Sequence, residues 1–210
     1  MDIKNILIQI KPLLKSKGFR NKGRLFYLIQ NDIAYCIELE QPTGLIYLAF
    51  YILPLYIPFE NRCFTYGSRI AIGNSQTFEK FDNSKALLDA FSRLFDTTIF
   101  PFFQKTSSPR KLIELYENHI GDNIFVCAPV DKKRLYYHTY AFLRNAHKTS
   151  DLAKQYRFAL NNATHYTAAA KDKYYREIES VYSLSKLEGC AIDSHYAQLI
   201  QQTLEKCIGL

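Results

Sequence analysis

An α+β fold is predicted by where helical and strand periods fall along the chain. Apolar residues recur at helical spacing near the N-terminus, alternate or run together between residues 25 and 72, and return to helical spacing from residue 84. Turn-forming residues separate the strand-like runs at short intervals, so three or four antiparallel strands joined by tight turns is the simplest topology. After Pro129 no strand pattern occurs, and only Gly189 and Gly209 interrupt the remaining chain. The expected architecture is an N-terminal helix, an antiparallel sheet of about four strands covered by helices, and a C-terminal all-helical bundle of two antiparallel hairpins. The corresponding domains are an α+β domain at 1–129 and a helical domain or extension at 130–210.

The first helix is carried by Ile3, Ile6, Leu7, Ile10, Leu13 and Leu14, with Lys4, Lys11 and Lys15 off the apolar face. Gly18 ends it, because glycine enters the left-handed region at little cost, and Phe19 is placed to pack back on the last turn. Leu25 to Ile29 and Ile33 to Glu40 flank Asn31-Asp32 and predict a β-hairpin. Alternation puts Ile33, Tyr35, Ile37 and Leu39 on one face of the second arm and Ala34, Cys36, Glu38 and Glu40 on the other. Leu45 to Leu53 is apolar on both faces and predicts a covered strand; Pro54 and Pro58 then remove ladder donors. Cys63 to Ile72 predicts the fourth strand.

Asn83-Ser84 caps the next helix, whose stripe of Leu87, Leu88, Phe91, Leu94 and Phe95 is expected to fade before Pro101. Ser108 followed by Pro109 starts another, ending near Gly121, and Ile124 to Pro129 predicts a short extended segment. The helical C-terminal part follows as stripes at 135–146, 152–163 and 174–182, and a last helix capped by Asp193. Its two hairpins share only the outline of tetratricopeptide-like units.

Composition narrows the function classes. The chain of 210 residues has 48% hydrophobic and 15% aromatic residues, so it buries a core and is not a disordered chain. Lys4, Lys11 and Lys15 interrupt the first apolar residues, so no secretory leader is expected. The longest apolar run, Leu45 to Phe59, is too short and too proline-broken for a membrane span. Cys36, Cys63, Cys127, Cys190 and Cys207 lack metal-ligand spacing and are an odd number; free thiols in a reducing cytoplasm are expected, with no disulfide-linked partner and no cofactor.

The net charge of +7 is concentrated in two segments. Residues 1–24 carry seven bases and one acid, and residues 131–176 carry ten bases and three acids. Such segregation favours an acidic or polyanionic partner. Lys17, Arg20, Lys22 and Arg24 cluster around Gly18 and Gly23, and Lys132, Lys133, Arg134, Arg144 and Lys148 lie in the helical block. These nine are the candidate partner-binding residues.

The segment from Leu13 to Tyr27 resembles an uncharacterised bacterial family, a domain of unknown function, with an N-terminal LLKxxGFxxxGRxF-like segment. Leu13, Leu14, Lys15, Gly18, Phe19, Gly23, Arg24, Phe26 and Tyr27 carry the likeness, and Leu45 to Tyr56 and Tyr66-Gly67-Ser68-Arg69 fit it more loosely. Some relatives resemble products of toxin–immunity neighbourhoods, which implies an immunity or accessory role and transfers no catalytic residue.

Enzymatic motifs are absent from the sequence: there is no HExxH, GxSxG, Walker or GxGxxG pattern. His147 and Asp151 are four apart, but Thr149-Ser150 reads as a helix break between them. Glu38 and Glu40, with Asp32 upstream, echo the carboxylates that hold Mg²⁺ in nucleases. The lysine that accompanies such a pair is missing, because Glu40 takes its place, and the solvent-facing side of a half-buried strand explains both acids. In the block at 131–176, bases interleaved with Tyr136, Tyr137, Tyr140, Tyr156, Tyr166, Tyr174 and Tyr175 could serve phosphates and unstacked bases. Inward tyrosines beneath a solvated basic face explain the same pattern. The leading expectation is a non-enzymatic protein-interaction module with an acidic partner surface. Nucleic-acid binding and a divergent metal-dependent nuclease are the alternatives.

Overall fold

The computed structural model describes residues 2–41, 46–59, 66–72, 84–117 and 189–210, and also Tyr140, Ala141, Arg144, Asn145, Asp172, Arg176, Glu179 and Ser183. Two compact units interleave along the sequence. The first comprises Met1–Leu53, Phe64–Thr106 and Ile124–Cys127, and the second Pro54–Cys63, Ser107–Asn123 and Ala128–Leu210.

In the first unit, helix α1 (Ile3–Ser16) buries Ile3, Ile6, Ile10 and Leu14. Asp2 caps it, accepting the Asn5 N–H at 2.8 Å. At the other end Gly18 takes φ +88°, its N–H reaching the Lys15 carbonyl while that of Phe19 reaches Leu14. This paired closure satisfies carbonyls that a helix end would otherwise leave open, and it brings Phe19 back over Leu14.

The chain then forms a five-stranded antiparallel sheet in the order β1-β2-β3-β4-β5. The strands are β1 (Arg20–Lys22), β2 (Leu25–Gln30), β3 (Ile33–Glu40), β4 (Ile46–Pro54) and β5 (Tyr66–Ile72). The α+β class is as the periodicities predict, with one strand more than expected. Arg20-Asn21-Lys22 has the composition of a turn, and its strand exists through pairing with β2, not through intrinsic preference. Gly23, at φ +59°, and Arg24 make the two-residue connection between Lys22 and Leu25. Asn31 and Asp32 both have positive φ and connect β2 to β3 in the left-handed turn that matches strand twist.

One face of the sheet is built on aromatic contacts with the helices. Helix α2 (Ser84–Leu94) passes through a π-helical turn, Phe95–Ile99, into α3 (Phe100–Lys105). The expected break before Pro101 therefore does not occur. The Phe100 N–H bonds back five residues to Phe95, and Pro101 falls in the first turn of α3, where a missing N–H is tolerated. Phe103 lies 4.9 Å from Tyr35 and 6.2 Å from Phe19, and Phe102 lies 5.5 Å from Phe50, between ring centroids. β3 and β4 are buried on both faces over most of their length, which corrects the half-buried strand expected for β3.

The second unit contains α4 (Pro109–Glu117), where Ser108 Oγ accepts the Lys111 N–H as the capping pattern predicts. It also holds α5 (Gly189–Thr203), which runs into a π-helical turn at Leu204–Ile208. Asp193, expected as a cap, lies inside α5, which starts four residues earlier. Thr203 Oγ1 donates to the Ile57 carbonyl at 3.1 Å and ties this helix to the buried segment after Pro54. Tyr140, Ala141, Arg144 and Asn145 are helical. The extended segment at 124–129 and most of the expected C-terminal stripes lie outside the described residues.

Candidate functional site

The N-terminal basic cluster divides once its backbone is in place. Lys17 follows the last turn of α1, where Phe19 and the π-helical turn meet: its Nζ is 3.1 Å from Asp96 Oδ1 and 4.4 Å from the centroid of Phe95. It is therefore engaged within its own unit. Arg20 and Lys22 are exposed and, two residues apart on β1, share one face of the edge strand. Arg24 is exposed in the adjoining turn. Arg20 and Lys22 lie about 7 Å apart along the strand and Arg24 follows in the turn, so with a screening distance of about 8 Å at physiological salt each charge reinforces its neighbour.

The helical-block candidates fare differently. Arg144, expected on a solvated basic face, is buried at 8% exposure with its guanidinium 4.6 Å from the ring centroid of Tyr196. Burial pushes the Tyr196 hydroxyl above its ordinary range, and the Arg144 charge offsets part of that shift. The neighbouring His195 is held below the usual histidine value by burial. Lys132, Lys133, Arg134 and Lys148 lie outside the described residues, as do His147 and Asp151.

The carboxylates considered for metal chemistry do not converge. Asp32 is in the turn that opens β3, and Glu38 and Glu40 are at its far end, about 20 Å and more away at 3.3 Å per residue. Tyr51 donates its hydroxyl to Glu38 Oε2 at 2.9 Å. Arg69, opposite the small Ala49 in the register of β4 and β5, reaches across β4 to place Nη2 2.6 Å from Glu40 Oε2. Its guanidinium also lies 5.6 Å from the centroid of Tyr47. The result is a polar layer on the sheet, Glu38 and Glu40 on β3, Tyr47 and Tyr51 on β4, Arg69 on β5. Among the described residues no group of three metal-ligating side chains forms.

Comparison with family models, curated proteins and solved structures finds no match. Among the described residues no helix is long and apolar enough to cross a membrane.

Two exposed features were not legible as sites. Phe100, 47% exposed, stacks on Phe95 at 6.1 Å beside the Lys17–Asp96 pair. Its exposure follows from the extra residue per turn in the π-helical segment, which rotates the stripe. Ile8, 65% exposed, is flanked by the lysines of α1. Its place off the apolar stripe is readable from the helical period, and its lysine neighbours belong to the basic segment at 1–24.

Proposed function

We propose that this chain is a non-enzymatic protein-interaction module whose partner presents an acidic surface. The observation that supports it is the disposition of charge: Arg20, Lys22 and Arg24 stand exposed along one edge of the sheet, while Glu38 and Glu40 are held by Tyr51 and Arg69. Exposed cations in register steer a negatively charged protein and set its orientation. A bundle of two helical hairpins at the C-terminus, a cytoplasmic location, and an immunity or accessory role within the family that the Leu13–Tyr27 segment resembles belong to the same proposal.

Nucleic acid is the competing polyanion. The burial of Arg144 removes one of the candidate cations from either partner, so the proposal leans on Arg20, Lys22 and Arg24. The test is affinity capture with the wild-type chain and with an Arg20→Glu/Lys22→Glu/Arg24→Glu variant of equal thermal stability. A single acidic protein captured by the first and lost by the second is expected. Capture unchanged by the reversal, or nuclease-sensitive capture, would oppose the proposal.

A further inference from the structure

The outward face of α1 combines features that a solvated helix face does not need. At 100° per residue, Lys4, Ile8, Lys11 and Lys15 fall within an arc of about 60°, roughly 16 Å long. Lys4, Ile8, Pro12 and Lys15 are exposed and Lys11 is half-buried. Ile8 is the most exposed large hydrophobic side chain among the described residues.

Three local preferences are broken on this one face. Lys4 places a cation in the first turn, at the positive end of the helix dipole, where the Asp2 cap is followed by no acidic residue within the turn itself. Pro12 sits inside the helix and has no N–H for the carbonyl of Ile8, one turn back. Ile8 leaves an aliphatic side chain in water although the core stripe of Ile3, Ile6, Ile10 and Leu14 is complete without it. Among the described residues no carboxylate lies within ion-pair distance of Lys4, Lys11 or Lys15, whereas Lys17 is neutralised by Asp96. Conflicts between local preference and fold gather where a surface serves something other than the fold.

We infer that this face docks an acidic segment of a partner protein, an apolar side chain of the partner covering Ile8 and Pro12 and its carboxylates meeting Lys4, Lys11 and Lys15. The inference rests on the acidic protein partner proposed above and adds a second contact surface, distinct from Arg20, Lys22 and Arg24. Charge complementarity requires an anionic occupant. A lipid surface is disfavoured because the apolar stripe of α1 is already buried in its own core, leaving two residues to insert. A phosphate backbone would engage the lysines and leave Ile8 in water. A buried aliphatic centre inside a rim of ion pairs is the arrangement of a protein interface.

The test places a photo-crosslinking amino acid at Asn5, one turn from Ile8, and separately at Arg24, in the full chain in its native cells. The expected result is one protein cross-linked through Asn5 at a segment with carboxylates around an apolar residue. Ile8→Ser and Lys4→Glu/Lys11→Glu/Lys15→Glu should each weaken its binding about tenfold or more without lowering Tm. An acidic protein reached from Arg24 but not from Asn5 overturns the α1 surface and leaves the proposed function standing. No acidic protein from either position overturns both. Co-sedimentation with phosphatidylserine–phosphatidylcholine vesicles that Ile8→Ser abolishes overturns the protein occupant in favour of lipid. Binding of a 20-nucleotide single strand that the lysine reversals weaken and Ile8→Ser does not overturns it in favour of nucleic acid.

Discussion

Arg69 on β5 reaches over Ala49 to the carboxylate of Glu40 on β3, spanning the strand between them with Nη2 2.6 Å from Oε2. The pair is partly solvated, with side-chain exposures of 35% and 21%, so its worth is modest. A double-mutant cycle with Glu40→Gln and Arg69→Met should give a coupling of about 0.5–1 kcal/mol. A coupling of zero by urea denaturation would mean the pair does not persist in solution.

The same geometry bears on metal chemistry. With a guanidinium already beside Glu40 and Asp32 at the other end of β3, Mg²⁺ or Mn²⁺ should leave Tm unchanged. In a nuclease assay the wild-type chain and a Glu38→Ala/Glu40→Ala variant should not differ. Metal-dependent hydrolysis that vanishes in the variant would restore the nuclease alternative.

Gly67 is a packing requirement. A Cβ there would collide with the Phe50 carbonyl oxygen and the Tyr51 Cβ on the paired strand, and backbone cannot move aside as a flexible side chain can. Gly67→Ala should cost about 2 kcal/mol or more, read as a lower urea midpoint at constant m. A neutral effect would contradict the close β4–β5 approach.

Pro12 gives a prediction of opposite sign. Proline in a helix interior costs about 3 kcal/mol relative to alanine, and Pro12 is exposed. Pro12→Ala should therefore stabilise the chain by about 1–3 kcal/mol while weakening the proposed partner contact at Ile8. Destabilisation would show that the proline ring packs on something essential to the fold.

His195 links stability to pH. Burial holds its folded-state pKa below the ordinary 6.5, so below that value the unfolded chain binds more protons than the folded one. Stability that is fully present above pH 6.5 should fall as the medium is acidified through the histidine's folded pKa. His195→Gln should flatten that part of a Tm-against-pH profile. A slope unchanged by the substitution would place the histidine in water.

Legibility from sequence followed the strength of local signals. Helix α1, its stop at Gly18 and Phe19, and the β2–β3 hairpin at Asn31-Asp32 were readable because glycine and turn chemistry act within a few residues. β1 was not, since three polar residues become a strand only by pairing with Leu25 to Tyr27. The continuation past Pro101 was hidden because a π-helical turn precedes it and leaves the proline in the first turn of α3, an arrangement that periodicity does not encode. In the candidate site, alternation placed Glu38 and Glu40 on one face correctly, but their partners Tyr51 and Arg69 come from strands thirteen and twenty-nine residues away. The exposure expected for Arg144 failed because an inward tyrosine, Tyr196, drew the guanidinium into the core.

The most direct test of the central claim is the salt dependence of single-stranded nucleic-acid binding, measured by fluorescence anisotropy on a 20-nucleotide RNA and DNA. An acidic-protein module predicts negligible binding at physiological salt, and no change on Lys132→Ala/Lys133→Ala/Arg134→Ala. Tight binding that falls steeply with salt, with a slope reduced by up to about three units in that variant, would contradict it, because each lost phosphate contact removes about one unit.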